Sequence, residues 1–223
     1  MDSAASPTPS IIGRDFFDRV RARLRLEVPP ALHDLTAKAV RGDIDTDPAL
    51  WERTGVVATR PAAVLVPVVD RPDPTVLLTQ RTADLPSHAG QVAFPGGKID
   101  PSDATPAAAA MREAEEEIGL GHSVIEPIGY LDLFLTFTGF RILPTVARIA
   151  PDYHITVNPS EVADAFEVPL AFLMDAQNHA LHSRDWKGIQ RRYYAMPFGE
   201  RYIWGVTAGI LRNLYDRIYG ASA

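Results

Sequence analysis

Residues 62–81 hold two β-rich runs, "AAVLVPVVD" and "TVLLTQR", parted by the turn "RPDP", and beyond them comes a helix whose two ends are both written in the sequence. Thr105 suits the N-cap. Pro106 suits the first helical position, where an N–H has no intrahelical partner, and Gly119 suits the left-handed residue that stops the helix. A strand pair feeding a capped helix leaves few architectures open. Further strands are expected within "GQVAFPGG" and at 124–137, 141–149 and 190–196. A loop should follow 149, then a short helix near 169–175. A closing helix over about 203–218 is expected on the stripe Ile203, Val206, Ile210, Leu214 and Ile218. This order predicts an α/β chain of the α+β type, with a mixed sheet sandwiched between helices.

The N-terminal part reads differently. Ile12, Phe16, Val20 and Leu24 recur four apart over 11–27, an amphipathic helix ended by Pro29 and Pro30. "ALHDLTAKAVRGD" reads as a second helix stopped at Gly42, so residues 11–60 form a helical extension to a domain over 61–220, after a loose tail over 1–10. No apolar run approaches the roughly 20 residues of a membrane span, and the opening residues lack the basic start and apolar core of a secretory signal. The absence of cysteine removes disulfides, thiol nucleophiles and thiolate-bound zinc, and suits a reducing cytoplasm. A formal charge of -6 argues against general nucleic-acid binding, which leaves a small molecule as the expected partner; a homodimer is compatible with the chain.

The helix after Thr105 ends in "REAEEEIGL". Glu113, Glu116 and Glu117 stand at i, i+3 and i+4, so their carboxylates share one face, while Glu115 points elsewhere. Like charges so spaced repel by about 0.3 kcal/mol per pair, and the negative end of the helix dipole adds to the cost. One reading is a solvated Ala/Glu helix. The other is a bound divalent cation, for which hard oxygen ligands select Mg²⁺ or Mn²⁺, commonly shared with substrate phosphates.

Gly97, Arg112, Glu113, Glu116, Glu117 and Gly119, with Ala114 and Leu120 at apolar positions, resemble the Nudix box. Two departures stand out: Asp103 replaces the first glutamate of the box, and eight residues rather than seven separate it from Arg112. The resemblance implies a Nudix α/β/α sandwich and a metal-dependent diphosphate hydrolase. It assigns Glu113, Glu116, Glu117 and the Gly96 carbonyl as metal ligands and Asp103 as the brace of Arg112. For the general base it leaves Glu113 or Glu161, the latter in the loop "NPSEV"; the alternative for Glu161 is a capping or solvent-facing loop acid.

Upstream, "LLTQRTADLPSHAGQVAFPGG" resembles the signature of the coenzyme A pyrophosphatase branch, matched at Leu77, Leu78, Thr79, Arg81, Gly90, Phe94, Pro95, Gly96 and Gly97. Thr82 stands in for Ser or Ala, and Pro86 replaces a second arginine, so a guanidinium able to hold phosphate is missing. The resemblance implies cleavage of coenzyme A or acyl-coenzyme A to 3′,5′-ADP and 4′-phosphopantetheine, with Arg81, His88 and Gly97 on the substrate side. The Pro86 change keeps ADP-ribose, NADH or nucleoside triphosphates as alternative substrates, and a non-catalytic nucleotide-binding module as a further one. Trp204 is expected to pack rather than stack on substrate.

Overall fold

The computed structural model describes residues 9–36, 41–46, 48, 52, 55, 57–85, 88–186 and 189–220. Its centre is strand β2 (Arg60–Val69), which runs parallel to β8 (Phe140–Ile149) along its whole length, from Arg60↔Phe140 to Val69↔Ile149. Period-2 alternation sends Ala62, Val66 and Val68 to one face and Ala63, Leu65 and Val69 to the other. β3 (Thr75–Arg81) pairs antiparallel with the end of β2 and then with β4 (Val92–Ala93), while β5 (Gly96–Lys98) lies antiparallel on β2. β6 (Ile125–Tyr130) and β7 (Phe134–Leu135) both pair antiparallel with β8.

One face of this mixed sheet is covered by α3 (Pro106–Ile118) through Ala109, Ala110, Ala114 and Ile118. The other is covered by α1 (Pro9–Arg23), with Phe16 and Val20 buried and Leu24 buried just beyond its end, and by α5 (Gly205–Ile218), with Ile210, Leu214 and Ile218 buried. Each buried Phe, Val, Leu or Ile among these is worth about 1.5–3 kcal/mol and each alanine about 0.8 kcal/mol, so both faces are committed and the α/β/α sandwich follows. Among the described residues, no helix is long and apolar enough to cross a membrane.

Several local expectations are corrected. The first helix stops at Arg23 instead of reaching residue 27, because the Arg25 side chain satisfies the carbonyls of Arg21 (2.8 Å) and Ala22 (3.3 Å), and Arg25 O is taken by the N–H of Tyr130. The second helix is replaced by a 3-10 turn at Pro30–Leu32, the short β1 (Arg41–Gly42) and the single turn α2 (Asp43–Thr46); residues 37–40 lie outside the described set. The carbonyls of Ala31 and Asp34, which a helix would need, accept instead from the buried guanidinium of Arg141. The strand expected over 124–137 divides into β6 and β7 with an irregularity between Pro127 and Gly129, where a Cβ on Gly129 would sit 2.5 Å from Leu24 Cβ.

Besides β1, three further strands were not expected. β9 (Val162–Pro169) pairs antiparallel with β3, and β10 (Ala180–Trp186) forms a second antiparallel sheet with β11 (Ile189–Phe198) and β12 (Arg201–Trp204). The short helix expected near 169 is α4 (Leu170–Leu173). The closing helix begins at Gly205; Ile203 and Trp204 belong to β12.

Candidate active site

The acid helix forms as its caps require. Thr105 Oγ1 accepts from the N–H of Ala108 at 3.1 Å, Pro106 opens the first turn, and Gly119 takes φ 68° while its N–H reaches Ala114 O and Glu115 O. Two carbonyls at the C-terminus are closed by a loop: Thr156 N–H donates to Ile118 O and Asn158 N–H to Glu117 O, each at 2.8 Å. That loop continues to Glu161, whose N–H donates to Asn158 O and whose carbonyl accepts from Thr82 N–H at 3.0 Å. The end of β3, the end of α3 and the acid at 161 are thereby tied into one unit.

Above the helix lies the turn from β4 into β5. Gly96 has φ 152°, and a Cβ there would strike the Ala63 carbonyl and approach Val64 Cα to 2.6 Å. A Cβ on Gly97 would sit 2.5 Å from the Glu113 carboxyl carbon. The glycine pair therefore lets the helix carboxylates reach the backbone. Glu117, 4% exposed, accepts from Gly96 N–H at 3.3 Å, and its other oxygen stands 3.8 Å from Arg81 Nη1. Burial pushes its carboxyl up to about 7; the Gly96 N–H and Arg81 pull against that, while Glu113 and Glu161 add to it. Glu113 is also raised by burial, against its bond from Arg112, with Glu116 and Glu161 pushing the same way as burial.

Arg112 organises the outer side. Its Nε and Nη2 fork onto the two oxygens of Asp103 at 3.0 Å each, its Nη1 reaches Glu113 at 3.0 Å and Glu116 at 3.1 Å, and Nη2 also donates to Lys98 O at 3.2 Å. Hydrogen bonding from Arg112 holds the Asp103 carboxyl below its ordinary range. Glu115 faces away, toward His122 at 3.4 Å. His88 sits exposed at φ 58° and bonds Gln91 Oε1 at 3.0 Å, with no described bond to the acid face; Pro86 lies outside the described residues.

Sequence reasoning missed the loop that closes the helix. Its signal was the "NPS" turn, in which Asn158 Oδ1 accepts from the N–H and hydroxyl of Ser160. The groups that could ligate an ion beside the Gly96–Gly97 turn, the Glu113, Glu116 and Glu117 carboxylates and the Gly96 carbonyl, are all oxygens, a set that fits a hard divalent ion and not a soft one. Among the described residues, no group of three acid or imidazole side chains is already gathered to hold an ion, and Glu116 is turned outward onto Arg112.

A family model described as NUDIX domain matches residues 59–191. The uncharacterized Nudix hydrolase NudL of Klebsiella pneumoniae subsp. pneumoniae is 44% identical over 155 residues, covering 70% of this chain and 81% of its own. NudL of Escherichia coli strain K12 is 43% identical over the same shares. A NUDIX hydrolase structure from Alicyclobacillus acidocaldarius aligns over 70% of this chain and 90% of its own, with a TM-score of 0.44 and 21% identity. The chain belongs to the Nudix hydrolase family, which acts on pyrophosphate bonds.

Proposed function

We propose that this protein hydrolyses the diphosphate of coenzyme A or acyl-coenzyme A, releasing 3′,5′-ADP and 4′-phosphopantetheine or its acyl form, and that it does so in the cytoplasm. The observation that carries the reading is the joining of two motifs at one point: the signature from Leu77 to Gly97 delivers both Arg81 and the Gly96 N–H to the buried Glu117. A guanidinium beside a buried acid face suits a diphosphate approaching in company with a cation.

Glu113, Glu116, Glu117 and the Gly96 carbonyl would hold Mg²⁺ or Mn²⁺. When bound, that ion neutralises the diphosphate oxygens and lowers the pKa of water. Arg112 acts as a positioning residue, holding Glu113 through the fork anchored on Asp103. Glu161 or Glu113 takes the proton from the attacking water; both lie close enough to Glu117 to raise its pKa. Arg81, with His88 and Gly97 from the same signature, takes the substrate side.

The test is a panel of coenzyme A, ADP-ribose, NADH and nucleoside triphosphates with Mg²⁺ or Mn²⁺, with products identified by mass and Glu117→Gln as control. Metal-dependent release of 3′,5′-ADP, lost in the variant, is expected. Preferential cleavage of another panel member would overturn the substrate, and full activity in Glu117→Gln would overturn the metal assignment.

A further inference from the structure

Beyond α1 the chain is pinned at two points before it enters the sheet. Arg25 O accepts from Tyr130 N–H at 2.9 Å, and Ala31 O accepts from Arg141 Nε at 2.8 Å, so residues 25–31 form a strap fastened at both ends. Between the pins the backbone is stiff: Pro29 takes φ −66° and ψ 135°, and Pro30 follows it. The strap stands off from the β6–β7 connection and leaves a cavity of about 360 Å³, bounded by Tyr130, Leu131, Asp132 and Leu133 on one side and reaching Arg217 at the end of α5. That volume falls within the range of small-molecule sites, about 300–1,000 Å³. Its floor is apolar, since Tyr130, Leu131 and Leu133 are buried, and Val28 and Pro29 add an apolar wall from the strap.

The charges around this cavity come from helix ends. Arg25 donates through Nη1 to the carbonyls of Arg21, Ala22 and Leu24, and Arg23 donates through Nη1 to Arg217 O and Gly220 O. These backbone bonds hold both guanidiniums in place. They leave the Nε and Nη2 of each without a hydrogen bond, and each side chain without an ion pair, among the described residues. Arg217 brings a third guanidinium, 3.9 Å from Asp132 Oδ1 and so beyond hydrogen-bond distance. Asp132 is already engaged by Asn213 Nδ2 at 3.0 Å and by Arg41 at 3.9 Å, which leaves Glu27 as the other carboxylate on the lining. Three positioned guanidiniums outweigh these two acids, and their forked N–H groups match a carboxylate or a phosphate.

The cavity is separate from the acid face of α3. It shares no residue with Glu113, Glu116 and Glu117, and it touches that helix at the far end, where the Tyr130 hydroxyl accepts from Ala107 N–H at 3.2 Å. Ten residues of helix, about 15 Å of rise, part Ala107 from Glu117. We infer that this cavity is a second ligand site, which takes a small organic anion: a phosphate or carboxylate head held by Arg23, Arg25 and Arg217, carried on a short apolar body that lies against Val28, Leu131 and Leu133. The inference does not depend on which diphosphate the acid face cleaves.

Calorimetric titration of the metal-free full chain with hexyl phosphate and with hexanoate tests it, with hexanol and inorganic phosphate as partial probes. At least one of the two amphiphilic anions should bind, and the tighter one identifies the head group; hexanol and inorganic phosphate should each bind about tenfold more weakly or worse, since each lacks one half of the contacts. Arg25→Gln and Arg217→Gln should each weaken the tighter anion about tenfold, the scale of one charge-assisted hydrogen bond. Glu27→Gln should tighten it about two- to fivefold by removing a nearby like charge. Val28→Trp, a change at the rim that fills the cavity, should abolish binding while thermal melts stay at the wild-type value. Glu117→Gln should bind as the wild type does. No binding of either anion, equal affinity for inorganic phosphate and hexyl phosphate, or wild-type affinity in Arg25→Gln, Arg217→Gln and Val28→Trp together would overturn the inference. Loss of binding in Glu117→Gln would place the anion on the acid face and overturn it as well.

Discussion

Replacing Glu117 by glutamine should make the metal-free protein more stable, and the size of the gain follows from where the carboxyl sits. In the folded chain it ionises near 7, against an ordinary value of 4.5, because burial disfavours its charge more than Gly96 N–H and Arg81 favour it. Below pH 4.5 the group is protonated whether the chain is folded or not. Between 4.5 and about 7 only the unfolded chain ionises, so folding takes up a proton and stability falls as pH rises. Above about 7 both states are charged, and the loss levels off near 3 kcal/mol. Glutamine keeps an oxygen for Gly96 N–H and never carries the charge. The variant should therefore match the wild type near pH 4.5 and exceed it at pH 8 by up to about 3 kcal/mol, or about 6–12 °C in Tm for a chain of this size. Thermal melts in chelator at both pH values measure this. A variant less stable than the wild type at pH 8, or a gap independent of pH, would refute the account of Glu117 as a strained buried charge.

Other outcomes follow from the same geometry. Mg²⁺ should raise the wild-type Tm at pH 8, with a gain near 2.7 kcal/mol at about 100 times Kd, and should leave Glu117→Gln almost unmoved; equal shifts would separate the ion from this acid. Gly97→Ala should drive the Glu113 carboxylate off its position and lower kcat about 100-fold with little change in Tm, and unchanged kcat would show that the contact is dispensable. Arg112→Ala should leave the half-buried Asp103 without its bidentate partner and cost about 1.5–3 kcal/mol in urea unfolding at neutral pH. Because Arg112 lowers the pKa of Asp103, that contribution is present above its ordinary value of 3.8 and shrinks as pH falls below it. Lysine at 112 cannot reproduce the fork onto both oxygens and should rescue only in part.

The elements that were legible in sequence are those whose period and caps agree. The Thr105, Pro106 and Gly119 signals place α3 within a residue of its observed ends, and the β2 and β3 runs are where their β-branched residues put them. β9 escaped because its alternation carries Asp164 and Glu167, and Glu167 is satisfied by residues far from it in the chain, Arg71, Thr75 and Tyr153. β10 escaped for a similar reason, since its outward face is charged and aromatic. The false second helix is the opposite error. Its local propensity was adequate, but Arg141, more than 100 residues away, claims the carbonyls it needed. The spacing of the glutamates placed them on the helix but not where each carboxylate goes, since Glu116 turns outward onto Arg112, and of the loop that ties Glu161 to the helix by backbone bonds the sequence shows only the "NPS" turn.

The clasp at Arg141 bears on where this protein can be cut. The family match begins at residue 59 and ends at 191, yet the guanidinium buried on β8 is answered by carbonyls at Ala31, Asp34 and Ala58, all before that boundary. α1 and α5 lie beyond the two limits and fill one face of the sheet, with Arg23 of the first bonded to Arg217 O of the second. A fragment trimmed to the matched region would carry an orphaned cation and an uncovered apolar face. The recognisable segment is the catalytic pattern, and the unit that folds is the longer chain around it, so any transplant, fusion or truncation has to respect both flanks.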